Sequence, residues 1–134
     1  GLTRGTKREH LIRAAQESIA YQSMELVEAM EKDTGTPMSE LNVDGGASRD
    51  TFLMQFQSDI LNKPVCRPQI QETTALGAAY LAGLATGVWK DQEEIRRMRG
   101  NTVRFLPNMH SETRETLVRG WKKAVGRSLD WADH

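Results

Sequence analysis

The stretch 41–48, which reads Leu-Asn-Val-Asp-Gly-Gly-Ala-Ser, constrains the fold more than any other part of the chain. Leu41 and Val43 alternate with polar neighbours, which is typical of a short half-buried strand. Beyond the two glycines, apolar residues recur at helical spacing, and Ser48 is a favourable N-cap for that helix. The stretch therefore predicts a strand, then a turn at Gly45 and Gly46 (the glycine turn), then a helix.

The glycine turn allows two interpretations. Gly45 and Gly46 have no Cβ, so the backbone can adopt positive φ and a ligand can come close. A helix that starts just after them offers N–H groups and a positive dipole end to a polar or anionic ligand. The alternative is a tight turn that binds nothing. The pattern is neither a P-loop nor Gly-x-Gly-x-x-Gly, so any nucleotide contact is expected at the base or ribose rather than at the triphosphate.

Composition and charge exclude several classes of function. The 134 residues fit one domain, and 18 basic side chains balance 18 acidic ones. Nothing electrostatic then favours nucleic acid or an anionic membrane, and we expect neither a membrane span nor a signal peptide. The single cysteine, Cys66, fits a reducing compartment such as the cytoplasm. His10, His110 and His134 have no metal-ligand spacing, so no metal site is predicted.

Apolar periodicity and helix breakers predict the remaining elements. The last helix should start with Ser111 as its cap, and an extended piece should lie between Pro64 and Pro68. Helices are expected over about 7–32, from the glycine turn to about 62, and over 75–86, 91–99 and 111–131, with 101–109 irregular. The core sides of the first and last helices are expected to be Leu11, Ile12, Ala15, Ile19, Leu26, Val27 and Met30, and Leu117, Trp121, Ala124, Val125 and Leu129.

Two of these helices leave alternatives open. The helix over 75–86 is rich in alanine and glycine, which is typical of a buried helix that packs close to a neighbour; the alternative is a wall of a ligand pocket. The helix over 91–99 carries three arginines, Arg96, Arg97 and Arg99, next to Glu93 and Glu94. These arginines could form a phosphate-binding patch, but the acidic neighbours favour a solvated face.

The predicted sheet is too small for the helices around it. A helix connects the two short strands, so they should be parallel. Parallel strands are normally covered on both faces, and two strands alone are marginal. We therefore expect the chain to be the end of a larger α/β domain.

Several runs make the whole chain resemble the C-terminal part of the FGGY family of sugar kinases, and its glycerol kinase branch more than the xylulose or gluconate branches. The Gly-Gly turn is generic to the actin and hexokinase superfamily, but two runs are much more specific. These runs are Leu-Met-Gln-Phe-Gln at 53–57 and Glu-Thr-Thr-Ala-Leu-Gly-Ala-Ala at 72–79. Further similar runs are 1–5, 18–22, 43–47 and 120–125.

The resemblance implies a partial actin-like (ribonuclease H-like) α/β domain. Residues 1–134 would be the C-terminal portion of the second, nucleotide-side kinase domain, without its first three strands. The expected order is α-β-α-β-α, with two short parallel strands and extra C-terminal helices.

The resemblance also implies which residues contact the nucleotide. Gly46 is expected to lie against the adenine nucleotide, with Gly45 beside it. Asp50 occupies a position where the family usually has an asparagine that contacts the nucleotide; a carboxylate can accept hydrogen bonds there but cannot donate them. Gln16 stands where the family's helix usually has an apolar residue. The family's catalytic aspartate, glycerol contacts and phosphate-binding loops lie upstream, so no catalytic residue is expected here.

The function implied is ATP-dependent phosphorylation of glycerol by a larger parent protein. Mg²⁺ would be bound mainly by other parts of that parent, and this chain would form one wall of the adenosine site. A homo-oligomer is expected. Two alternatives are another FGGY sugar kinase, acting on xylulose or gluconate, and a non-catalytic actin-like module for nucleotide binding or assembly. Upstream sequence would distinguish them, because a kinase needs a phosphate-binding hairpin and a catalytic aspartate.

Overall fold

A computed structural model describes residues 1–69, 73–98 and 102–129. Within these ranges the predicted helices are present, and a 3-10 turn at Gly46–Arg49 follows Gly45. Glu72, Arg99 and the predicted end of the last helix at Trp131 lie outside the described residues. The elements are α1 Arg8–Thr34, β1 Leu41–Asn42, α2 Thr51–Leu61, β2 Val65–Pro68, α3 Thr73–Ala85, α4 Gln92–Met98, β3 Thr102–Phe105 and α5 Ser111–Gly126.

The three strands form one sheet in the order β1-β2-β3. The predicted parallel pair is confirmed, with Leu41 opposite Val65. The prediction of an irregular 101–109 is wrong over Thr102–Phe105, which pairs antiparallel with β2 and places Phe105 opposite Val65. This strand is only four residues long and close to Pro107, so its alternation of apolar and polar residues is too short to be recognised. Its pairing with β2 decides its structure.

The core lies where α1 and α2 pack together beside β2. Tyr21 is central to it: its ring meets Phe56 edge-on at 5.6 Å between centroids and stacks on Trp121 at 5.1 Å. Ile60 and Val65 are completely buried. The buried core consists of Ala20, Tyr21, Met24, Val27, Leu53, Met54, Phe56, Ile60, Leu61, Val65 and Phe105.

The predicted core side of α1 is largely wrong. Of the seven residues assigned to it, only Val27 is buried, and the buried side instead carries Ala20, Tyr21 and Met24. Apolar residues occur on more than one side of α1, so periodicity alone does not select the side that α2 and α5 cover. Leu11, Ile12, Ile19, Leu26 and Met30 are exposed as a result.

Helix α5 packs on α1 through a few side chains. Trp121 donates from Nε1 to Glu25 Oε1 at 2.9 Å, and Lys122 pairs with Glu28 at 3.2 Å. In the predicted core stripe, Leu117, Trp121 and Val125 are half-buried, whereas Ala124 and Leu129 are exposed. The N-cap residue is His110 rather than the predicted Ser111.

Helices α3 and α4 are much more exposed. All five alanines of α3 are exposed: Ala75, Ala78, Ala79, Ala82 and Ala85. The buried-helix interpretation therefore does not hold within this chain. Arg96 pairs with Glu93 on the solvated face expected for α4. No helix in the described part of the chain is long and apolar enough to span a membrane.

Candidate functional site

Gly45 and Gly46 differ in their backbone conformation, and only that of Gly45 requires a glycine. Gly45 has φ 77° and ψ −178°, a region of backbone space that essentially only glycine adopts. Gly46 does not have a positive φ, and a Cβ built on it would meet nothing within 4 Å. The positive φ anticipated in the glycine turn is therefore confirmed at Gly45 and not at Gly46, and a Cβ on either glycine would face open space.

A 3-10 turn that begins at Gly46 separates Gly45 from α2, and this corrects the predicted cap. Ser48 is buried, and its hydroxyl donates to the Gly45 carbonyl at 2.7 Å. Asp50 is the N-cap residue of α2, and its Oδ1 accepts from the Leu53 N–H at 3.1 Å. The intervening 3-10 turn moves the helix start past Ser48. The N–H of Leu53 is thus taken by the cap and is not offered to a ligand.

Asp50 also connects α2 to α1. Its Oδ2 accepts a hydrogen bond from Nε2 of Gln16, which lies on α1. The two positions at which the sequence departs from the usual family pattern are therefore bonded to each other. A half-buried carboxylate with both oxygens accepting from protein donors has a structural role at this point, beyond any contact with a ligand.

Arg67 reaches the 3-10 turn from the end of β2. Its Nη1 donates to the carbonyl of Ser48 at 2.7 Å and to that of Arg49 at 3.2 Å. Its guanidinium carbon lies 5.2 Å from the centroid of the Phe105 ring on β3. Sequence analysis did not identify Arg67 as a site residue. The signal that could have found it is its position near the carboxyl end of β2. The carboxyl ends of parallel strands meet at the same edge of a sheet, which places Arg67 near the residues that follow β1.

A cavity of about 630 Å³ lies next to the carboxyl end of β1. Asp44, which directly precedes Gly45, lines it, together with Tyr80 of α3 and Ile95 of α4. Gly45, Gly46 and Asp50 are not among its lining residues. The sequence-predicted site residues thus adjoin one another around the glycine turn, beside this cavity rather than inside it.

Comparison with known proteins identifies the family. Residues 1–86 match the family described as "FGGY family of carbohydrate kinases, C-terminal domain". The chain belongs to this family. A glycerol kinase from Caldanaerobacter subterraneus subsp. tengcongensis is 61% identical over 133 residues, which cover 99% of this chain and 27% of that protein. A glycerol kinase from Treponema denticola is 61% identical over 132 residues, covering 98% and 27%.

Solved structures of FGGY kinases have the same fold as this chain. Plasmodium falciparum glycerol kinase with ADP matches 98% of the chain and 26% of that structure's chain, with a TM-score of 0.86 at 35% identity. A xylulose kinase from Lactobacillus acidophilus matches with a TM-score of 0.80 at 24% identity, a likeness of fold alone. The chain therefore spans about a quarter of the length of its FGGY relatives and has their mixed α/β, actin-like fold.

Proposed function

We propose that these residues are the C-terminal part of a glycerol kinase, which transfers the γ-phosphoryl group of ATP to glycerol and yields sn-glycerol 3-phosphate and ADP. The observation that carries this proposal is the 61% identity to glycerol kinases over almost the whole chain. Residues 1–134 would be the C-terminal portion of the nucleotide-side domain, truncated at its N-terminal side.

The glycine turn is the part of the chain that we assign to the nucleotide. A Cβ on Gly46 would meet no described atom within 4 Å, which leaves this side of the turn accessible to a ligand, and Gly45 supplies the backbone conformation that orients the following turn. Both Asp50 oxygens already accept one hydrogen bond each, but a carboxylate has about four acceptor positions. Asp50 can therefore accept from a nucleotide hydroxyl without giving up its protein partners.

The chemical step would take place outside these residues. A general base elsewhere in the parent takes the proton of a glycerol hydroxyl as its oxygen attacks the γ-phosphoryl group, and positioned donors stabilise the charge. The described residues include no group of three or more histidine, cysteine or acidic side chains that could hold a metal ion, and we propose that Mg²⁺ is bound mainly by other parts of the parent. Its role is to bind and orient adenosine in a cytoplasmic, homo-oligomeric enzyme.

A direct test uses a full-length protein that carries these residues. ATP-dependent phosphorylation would be measured with glycerol, xylulose and gluconate under identical conditions. We expect a clear preference for glycerol. Preference for xylulose or gluconate would assign the protein to another branch of the family, and nucleotide binding without transfer to any of the three would favour the non-catalytic alternative.

A further inference from the structure

We propose that Arg67 is a positioning residue for the nucleotide: it holds the 3-10 turn that presents Gly46 to adenosine. This inference rests on the proposed function and adds a residue of β2 to the nucleotide site. Arg67 donates to the carbonyls of Ser48 and Arg49, so the role assigned to it acts through the backbone of the turn.

The first support is the geometry of the guanidinium. A single nitrogen of Arg67 donates to two successive carbonyls, at 2.7 and 3.2 Å. Hydrogen bonds from a charged donor are roughly twice as strong as neutral ones. Stacking near Phe105 restricts where the guanidinium can lie. The end of β2 is thereby connected to the exit of the 3-10 turn.

The second support is the conformation that the turn must keep. Gly45 lies in a backbone region that glycine enters about as readily as any other, so local preference alone does not select this conformation of the segment. The buried Ser48 hydroxyl fixes the entry of the turn through the Gly45 carbonyl, and Arg67 fixes its exit. Gly46, between these two contacts, is therefore held in place, and binding sites need such support to within about half an ångström.

Arg104 provides a matched comparison on the same sheet. It lies on β3, opposite Cys66, and pairs with Glu40 at 3.3 Å. Its described contacts do not include the glycine turn. Replacing Arg104 thus removes the same charged group from the sheet without affecting the carbonyls of Ser48 and Arg49.

The test compares Arg67→Met, Arg67→Lys and Arg104→Met in the full-length protein. KM for ATP, KM for glycerol, kcat and the Kd of ADP would be measured for each. Losing a hydrogen bond from a charged group is expected to raise KM for ATP and the Kd of ADP about tenfold in Arg67→Met. KM for glycerol should stay within about twofold, because the proposed glycerol contacts lie in other parts of the full-length protein. Arg67→Lys should recover part of the loss, and Arg104→Met should resemble wild type.

The outcomes separate this inference from the function on which it rests. The inference is wrong if Arg67→Met leaves both ATP constants unchanged, if Arg104→Met weakens nucleotide binding as much, or if lysine recovers nothing. A wild-type protein that binds ADP but does not phosphorylate glycerol overturns the proposed function alone, since the ADP titration still tests Arg67. Should Arg67→Met fail to fold, the comparison of Arg67→Lys with wild type decides.

Discussion

Two parts of the molecule differ in how completely their apolar side chains are buried. The part that contains α1 and α2 has a buried core (the closed half), whereas the part that contains α3 and α4 leaves large apolar side chains exposed (the open half). In the closed half, Ile60, Val65 and Phe56 are at most 4% exposed. In the open half, Leu81 is 71% exposed, and a cavity of about 630 Å³ separates α3 from the carboxyl end of β1. The residues of this chain therefore specify the closed half by themselves.

Contacts in the open half are mostly local. The ring of Trp89 folds back onto α3, where a Cβ on Gly83 would come within 2.0 Å of it. The same ring meets Tyr80 edge-on at 5.3 Å between centroids. These contacts fix the end of α3 but give it no partner across the cavity. The comparison of the two halves shows that the glycine turn belongs to the part of the chain with a complete core, whereas α3 needs further protein to cover it.

The largest expected effect concerns this chain without the rest of a kinase: no phosphorylation of glycerol, together with self-association. On the proposed function, this chain forms one wall of an adenosine site, and such a wall by itself cannot align an in-line transfer. Exposed apolar side chains on α1 and the outer edge of β1 would seek partners, and exchange of α1 between two copies would cover both. Sedimentation over a concentration series, alongside a kinase assay, provides the test. A well-folded, strictly monomeric chain would show that the exposed side of α1 and the outer edge of β1 need no cover.

The second prediction compares one apolar residue from each half. Phe56→Ala should lower the free energy of unfolding by about 3–5 kcal/mol, because Phe56 is buried between α1 and α2. Leu81→Ala should change it by less than about 0.5 kcal/mol, because Leu81 is a surface residue here. Denaturant unfolding of both variants gives the two values. Similar losses for the two would contradict the division into closed and open halves.

The third prediction separates the two glycines in the closed half. Gly45→Ala should cost about 1–3 kcal/mol, because alanine is strained at its backbone angles, whereas Gly46→Ala should leave stability unchanged. Gly46→Val in the full-length protein should weaken ATP binding without loss of fold, since its side chain would fill the open space. Thermal unfolding, nucleotide titration and circular dichroism measure these effects. Unchanged ATP affinity in a folded Gly46→Val protein would reject Gly46 as a nucleotide contact.

What the sequence could predict depends on how far apart the interacting residues are in the chain. Local signals located the helices, β1, β2 and the glycine turn, because periodicity, glycines and prolines act within a few residues. Ser48 was a reasonable cap on the same grounds, and only the 3-10 turn shifted that role to Asp50. The prediction of two parallel strands followed from the helix that connects them.

Long-range contacts decided the rest. Which side of α1 is buried depends on where α2 and α5 pack, and β3 exists because β2 offers it an edge. The bond from Gln16 to Asp50 joins residues 34 positions apart, and that from Arg67 to Ser48 spans 19. No local pattern encodes such contacts, so the nucleotide contacts of Gly45, Gly46 and Asp50 remain predictions carried by the resemblance.

The fourth prediction uses pH to probe the closed half. Burial, with the charge of Glu17 adding to it, raises the pKa of Tyr21 from 10 to about 12. The unfolded chain releases this proton first, so the free energy of unfolding should fall as the pH rises from 10 towards 12. Unfolding of wild type and Tyr21→Phe across this range isolates the effect, which phenylalanine should remove. Equal pH dependence of the two proteins would place the Tyr21 hydroxyl in solvent.

The smallest expected effect is that of Asp50→Asn. This substitution tests whether the Asp50 carboxylate, which accepts from Gln16 and Leu53, also contacts the nucleotide. Asparagine caps helices as well as aspartate does, and its amide N–H can donate to Oε1 of Gln16 once the Gln16 amide has turned over, so stability should change little. In the full-length protein, ATP affinity should be unchanged or improve by roughly 0.5–1.5 kcal/mol at most, since a donor replaces a negative charge. Asp50→Ala is the control that removes both bonds. A tenfold loss of ATP affinity in Asp50→Asn, with stability intact, would mean that the carboxylate itself accepts from the nucleotide.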